Sequence, residues 1–343
     1  MHSKTTRSLC ALLLLPFLLG GCGVLSTTLI KPEGEILFQT PTENSGKPLI
    51  DRKALKNPVV DIEGWAVKDA CMIWHEDYFY IFSSAFFFED GMERSHLLGM
   101  RTPVLGKTPE ILFVSYGKEL GAYGLASPDI AEKDGIFYLV YNTWGDKPGE
   151  PNRLFYATSG DLVNWEFHKP LAPETTAGVR AIDAAIAFAN DKVYLCWKEK
   201  QSIKFAWASD IADPQWTRIP ARMGGWHENV QFICIDGIWH MMATGYYGIT
   251  FKHRPFLLRM DGDPAEDESW GRWTRLRMYE PPAEAFNTAE LANAAYLLDA
   301  RQTDGMFYLL YAGTVDQSLH TKRGDCRLGL AWSDDLINWE VAG

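Results

Sequence analysis

No two cysteines in this chain carry the C-x-x-C spacing; Cys10, Cys22, Cys71, Cys196, Cys234 and Cys326 are scattered along its 343 residues. That removes the usual zinc-ligand signatures, and no metal or other cofactor is expected. Helical periodicity is nearly absent as well, which excludes bundles and doubly wound α/β folds. Basic side chains are outnumbered, 33 Lys and Arg against 44 Asp and Glu, for a net charge of −11. Such a balance argues against nucleic acid or anionic lipid as a partner and fits a neutral or cationic ligand. Long apolar runs are missing apart from Leu9 to Leu19, which is too short and wrongly flanked to span a bilayer.

That one run, preceded by Lys4 and Arg7 and followed by Gly20, Gly21 and Cys22, reads as an export signal. Leu19-Gly20-Gly21-Cys22 resembles the bacterial lipobox, which implies cleavage before Cys22, acylation of its thiol and a lipid-anchored exported protein; an ordinary signal peptide with an incidental cysteine is the alternative. The expected layout is a signal over residues 1–21, a Ser/Thr/Pro/Gly-containing tether over 22–48 and one domain over 49–343, monomeric. Three of the four cysteines left in that domain sit in apolar strand patterns, where a thiol acts as a small hydrophobe. An oxidising compartment permits a disulfide, but the sequence does not pair them.

What the chain does contain is a recurring phrase, a polar turn followed by a short aromatic strand. It occurs at His75 to Phe82, Asp134 to Tyr141, Asn190 to Trp197, Asp236 to Met241 and Asp304 to Tyr311. A repeat with a hairpin turn of this type marks similar antiparallel sheets. The equivalent residues Tyr80, Tyr138, Tyr194, His240 and Tyr308 lie 46 to 68 positions apart, room for four short strands per unit. A second phrase closes units, Ser159 to Glu166 and Ser333 to Glu340, with looser versions ending at Trp216 and Trp273. Sheets of this kind resist exposed edges, so radial closure predicts an all-β, five-bladed propeller of four-stranded antiparallel blades. Seven shorter blades are the competing architecture, and the spacing leaves no room for two more. Closure requires an N-terminal strand, from Glu35–Thr40 or Leu49–Val60.

Residues at the start of each innermost strand converge on one mouth of such a ring. There the chain carries Asp69, Asp129, Asp183 and Glu228, with Asn293 in the fifth unit. Carboxylates crowded around one cavity resist ionising together, so at least one keeps its proton near neutral pH. Glycoside hydrolysis needs that division between a protonated acid and an ionised base. The bland reading is that each Asp caps a turn.

The stretch from Asp61 to the C-terminus resembles the five-bladed glycosidases of glycoside hydrolase families 43 and 62, related to the family 32 fructosidases. The resemblance implies Asp69, in Lys68-Asp69-Ala70, as general base; Asp183, in Ile182-Asp183-Ala184, as the group that tunes and orients the acid; and Glu228 as general acid. It implies a pocket-shaping role for Asp129 in Ser127-Pro128-Asp129. The family's prolines after both aspartates and its Gly-Pro after the Glu are absent here, and its blade-five His, which supports a central cation, is Asn293. These departures place the chain on a distant branch and weaken the case for a structural calcium. An arabinofuranosidase- or xylosidase-like, inverting enzyme acting on plant or algal glycans is implied. A catalytically inactive glycan-binding propeller, a structural or protein-binding propeller, and relatives of families 117 and 130 are the alternatives. Phosphorolysis, as in family 130, needs a cationic phosphate site, and the sequence shows no clear cluster. Trp144, Trp226, His227 and Asn293, with Asn142 and Arg180, are candidate substrate contacts near the rim, although packing between blades is the commoner fate of a tryptophan. The Phe86-Phe87-Phe88 run and the acidic loop that follows read either as a rim subsite or as an inter-blade plug.

Overall fold

The computed structural model describes residues 36–37, 49–145, 147–225, 227–247, 252–316 and 325–342. The proposed signal, Cys22 and most of the tether lie outside them. The described residues form five sheets, each with four consecutive strands hydrogen-bonded antiparallel in sequence order. Their inner strands, Ala66–His75, Gly124–Lys133, Ile182–Ala189, His227–Ile235 and Glu290–Ala300, pack in a closed ring around one axis. This is the five-bladed propeller that the repeats predict.

The first phrase makes the hairpin between inner and second strand. Two residues with positive φ turn the chain in four blades: Glu76 and Asp77, Asp134 and Gly135, Asn190 and Asp191, Asp236 and Gly237. That is the backbone a primed two-residue turn demands, and Asp, Asn and Gly adopt it most readily. In blade five a four-residue helix, Arg301–Asp304, replaces it and ends at Gly305. The second phrase builds the outer turn. Asp161 accepts the N–H groups of Val163 and Asn164, and Asp335 does the same for Ile337 and Asn338. The tryptophan that ends the phrase donates its indole N–H to the carbonyl three residues earlier at Trp165, Trp216 and Trp273.

Aromatic residues fill the space between blades, most of them on strands. Trp197, Trp239 and Trp270 are among the largest fully buried side chains, with Tyr194 stacked 5.0 Å from Trp270. Burying each stabilises the ring by about 2–3 kcal/mol. Cys71, Cys196 and Cys326 are buried free thiols.

Closure uses the second of the two expected segments. Val59 and Val60 exchange backbone hydrogen bonds with Leu328 on the third strand of blade five. Asn57 binds both backbone groups of Leu330. The C-terminal pair Glu340–Val341 covers the next part of the same edge, opposite Ala331 and Trp332. Two chain ends thus share one outer-strand position. Ile36 and Leu37, from the other expected segment, pair instead with Ala189 and Phe188 on the inner strand of blade three.

Candidate active site

Every inner strand breaks register, between Lys68 and Cys71, Ala126 and Asp129, Ile182 and Ala185, Glu228 and Gln231, and Asn293 and Tyr296, and blade five breaks a second time between Glu290 and Asn293. At the first five of these breaks one residue has a left-handed backbone: Asp69, Ser127, Asp183, Asn229 and Ala294, with φ between 46° and 55°. An extra residue in a strand bends it and re-aims its neighbours, which is how bulges equip functional sites. These five positions are equivalent by geometry, and they correct the alignment read from the sequence. Asp69 and Asp183 share the bulge position. Glu228 and Asn293 sit one residue before it, and Asp129 two residues after.

The correction separates roles. Gln231 is two residues past its bulge, like Asp129, and ties blade four to blade five by bonding both backbone groups of Leu297. Asp129 accepts the Ile186 N–H at 3.2 Å, tying blade two to blade three at the corresponding place. Burial pushes the Asp129 carboxyl well above its ordinary range, favouring the neutral form that resembles the glutamine amide. Its position is a joint between blades, deeper than the rim. Asn293 is fully buried too, donating to Glu290 at 3.3 Å.

Asp69, Asp183, Ser127, Asp129, Gln231 and Tyr296 line one cavity of about 20 Å³ on the ring axis, room for a single water. Glu228 acts on the same place, since its charge is one of the causes that lift Asp183. The three carboxylates expected to converge are therefore brought together from blades one, three and four.

The site also holds cations that the sequence reading missed. Residues on the second strand that face a bulge reach across to the next blade. Ser84 accepts the Ser127 N–H at 2.8 Å, and Asn142 accepts the Asp183 N–H at 2.9 Å. Lys198 pairs with Ile182 in the same register, and its Nζ lies 2.5 Å from Glu228 Oε2. His253 stands between blades four and five. Its Nε2 donates to Glu228 at 3.2 Å and its Nδ1 to Glu290. A ring donating through both nitrogens is an imidazolium, and although burial opposes its charge, the two carboxylates raise it to about 9. Lys68 lies 3.3 Å from Asp69, and Asp69 and Glu228 hold its ammonium up against the cost of burial. A usable signal for Lys198 was the strand pairing itself, because the residue opposite a bulge points at the following blade.

These neighbours redistribute the proton. Burial alone would keep Glu228 neutral, but the His253 hydrogen bond and the Lys198 and Lys68 charges outweigh it and hold this carboxylate well below its usual range. Asp183 moves the other way, to about 6, through burial first and then the Glu228 charge. The expectation that Glu228 carries the proton thus meets an opposing environment, and Asp183 is the carboxyl whose surroundings favour the acid form.

Among the rim candidates, Trp144 ends the second strand of blade two, half-buried, with the Arg180 guanidinium 5.4 Å from its ring centroid. Asn142 is fully buried, below the rim. His227 opens the inner strand of blade four, edge-on to Phe256 at 5.9 Å, with burial lowering its affinity for a proton. Trp226 lies outside the described residues.

No protein-family model matches the sequence. A 43-residue stretch is 42% identical to a 1,2-β-oligomannan phosphorylase of Thermoanaerobacter, covering 12% of this chain and only 14% of that protein. Solved structures resemble the whole ring. A thermostable family-43 glycoside hydrolase superposes with a TM-score of 0.60 at 15% identity, over 84% of this chain and 96% of that one. A structure from the family 130 mannoside phosphorylases, a family that contains glycoside hydrolases targeting β-1,2-mannosidic linkages in Candida mannan, gives 0.57 at 15%, over 87% and 97%. A xylan β-1,4-xylosidase from Bacillus halodurans gives 0.60 at 16%, over 84% of this chain and 57% of the larger enzyme. At these identities the likeness establishes the fold.

Proposed function

We propose that this chain is a glycosidase that hydrolyses O-glycosidic bonds with inversion. The observation that carries this reading is the pairing of Asp69 and Asp183 at equivalent bulges, lining one water-sized cavity, with Asp183 raised to about 6 by burial and by the charge of Glu228. In this scheme Asp69 is the base that activates water at the anomeric carbon. Asp183 gives its proton to the departing oxygen. Glu228, ionised between Lys198 and His253, keeps that proton on Asp183 by repulsion. The roles of Asp183 and Glu228 are thereby exchanged relative to those implied by the sequence resemblance. Inversion calls for acid and base about 6.5–9.5 Å apart, and proton NMR of the first-formed anomer tests it directly.

Pentosides are the first substrates to try, in line with the xylosidase and family-43 likeness, and β-1,2-mannosides the second. The decisive experiment screens both on the unmodified protein and on Asp69→Asn, Asp183→Asn and Glu228→Gln. Turnover by the parent and loss in Asp69→Asn and Asp183→Asn, with folding and sugar binding kept, supports the scheme. Sugar binding with no turnover by the parent makes this a glycan-binding propeller instead. The membrane lipid anchor at Cys22 is part of the same proposal, checked by metabolic labelling with a fatty acid.

One observation favours a second reading, phosphorolysis. Lys68, Lys198 and His253 form the cationic cluster that a phosphate would require. They are already matched by Asp69, Glu228 and Glu290, so the site offers an anion no net positive charge. Hydrolysis is preferred on that account, and the release of sugar 1-phosphate on adding inorganic phosphate would reverse the preference.

A further inference from the structure

Blade one differs from the others in its central hairpin. The strands Tyr78–Glu89 and Met92–Thr102 have 12 and 11 residues, whereas the second strands of the other blades have 8 to 10. The extra length carries Phe86, Phe87 and Phe88, and the structure resolves what each does. Phe86 is buried in the core, Phe88 is exposed, and Phe87 is the middle of a three-ring stack. Trp65 lies on one face of Phe87 at 4.2 Å and His96 on the other at 3.8 Å. This stack borders a second cavity, about 410 Å³, within the range of small-ligand sites.

Its wall combines the two chemistries that a sugar needs. Trp65, the end ring of the stack, has one face not taken by Phe87, and an indole face packs against the C–H face of a pyranose or furanose. Glu89 and Glu119 supply carboxylates. His96 Nε2 lies 2.6 Å from Glu89 Oε2, and His168 Nε2 pairs with one oxygen of Glu119. Each carboxylate is thus fixed in direction by an imidazole on one oxygen and has a second oxygen with which to accept from hydroxyls. Tyr116 also lines the cavity, its hydroxyl donating to Asp90 at 3.2 Å.

One strand links this cavity to the candidate active site. Trp65 immediately precedes the inner strand of blade one, and Asp69 is four residues further along it. At roughly 3.3 Å per residue that is at most about 13 Å, the length of two to three sugar units.

We propose that this cavity on blade one is a distal saccharide subsite, so that the substrate is an oligosaccharide reaching from the axial carboxylates to Trp65. The assignment rests on the glycosidase reading for the axial site and concerns a different set of residues. The test is the dependence of kcat/KM on chain length, measured with xylo-, arabino- and β-1,2-manno-oligosaccharides from dimer to hexamer. In the parent protein kcat/KM rises about tenfold, equivalent to about 1.4 kcal/mol, once the chain is long enough to span the gap. Trp65→Ala removes the rise and leaves the dimer unaffected. Because Trp65 also packs on the core, Val114→Trp serves as a second variant; it fills the cavity from an exposed position and should have the same effect. A parent rate independent of length, or variants that slow all lengths equally, overturns the proposal while leaving the glycosidase reading intact. If no oligosaccharide is cleaved, calorimetry decides. Hexamer binding by the parent and by Asp69→Asn, lost in Val114→Trp, upholds the subsite, and binding unchanged in Val114→Trp refutes it.

Discussion

Replacing Lys198 by methionine tests the electrostatic core of the proposed mechanism. The ammonium touches Glu228 at 2.5 Å, and its charge lowers Asp183 as well. Methionine keeps much of the chain's volume without the charge, so both carboxyls should rise. Loss of an opposite charge close to a carboxyl is worth about 1–3 pKa units, at 1.36 kcal/mol per unit. Catalysis by the acid form of Asp183 declines tenfold per pH unit above about 6. At pH 8 the parent would hold only about 1% of Asp183 protonated, whereas a value raised to about 7.5 gives about 24%. The ratio of kcat at pH 8 to kcat at pH 5 should therefore grow about twentyfold in the variant, even where the absolute rate falls. The assay needs a glycoside with a sugar or alkyl leaving group, since a nitrophenolate leaves without a proton. Difference infrared titration of the protonated carboxyl gives the same answer without turnover. An alkaline limb that stays in place, or moves to lower pH, would refute the proton assignment.

Three further substitutions address the joints. Asp129→Asn should fold and function, because burial favours the neutral form of the native carboxyl and its counterpart in blade four is an amide. A buried acid raised above its unfolded value of about 3.9 binds more protons folded than unfolded, so its contribution is greatest at low pH and declines as pH rises; the urea midpoint of Asp129→Asn should gain on the parent steadily from pH 4 upward. Gln231→Leu strands the N–H and carbonyl of Leu297 and should cost about 2–6 kcal/mol, read from urea unfolding. Asn142→Leu orphans the Asp183 N–H, costs about 1–3 kcal/mol, and should lower kcat more than it raises KM because it displaces the proposed acid.

The ring was legible because its signals are local. Two-residue turns of Asp, Asn and Gly declare themselves in four residues, and the aromatic strands after them recur in sequence. Asp69 and Asp183 were legible for the same reason, each sitting just before a recognisable strand. Lys198 and His253 were not, because their relation to Glu228 is set by strand pairing and by the next blade, across 30 and 25 positions that carry no shared motif. Asp129 was legible in part: it lines the axial cavity, as a pocket-shaping residue would, but at a different station from the other acids. A one-dimensional reading counts it with the other acids, yet a bulge shifts register, and a residue two positions further on belongs to a joint between blades.

The bulge itself is indifferent to chemistry. Aspartate, serine, asparagine and alanine all adopt its left-handed backbone in this one chain, at a cost that Asp and Asn bear best. The second-strand contacts that hold it come from Ser84 and Asn142 in blades one and two, through backbone N–H groups and not through the side chain at the bulge. The fold therefore offers five equivalent bulge positions around its axis, and function depends on which of them receive a carboxylate. Blades one and three do, and blade four places its acid one residue earlier, where Lys198 and His253 can reach it. A symmetric scaffold becomes an asymmetric site in this way: two aspartates at equivalent bulges meet different neighbours, Asp183 being raised by burial and then by the repelling charge of Glu228, while Asp69 has the Lys68 ammonium 3.3 Å away.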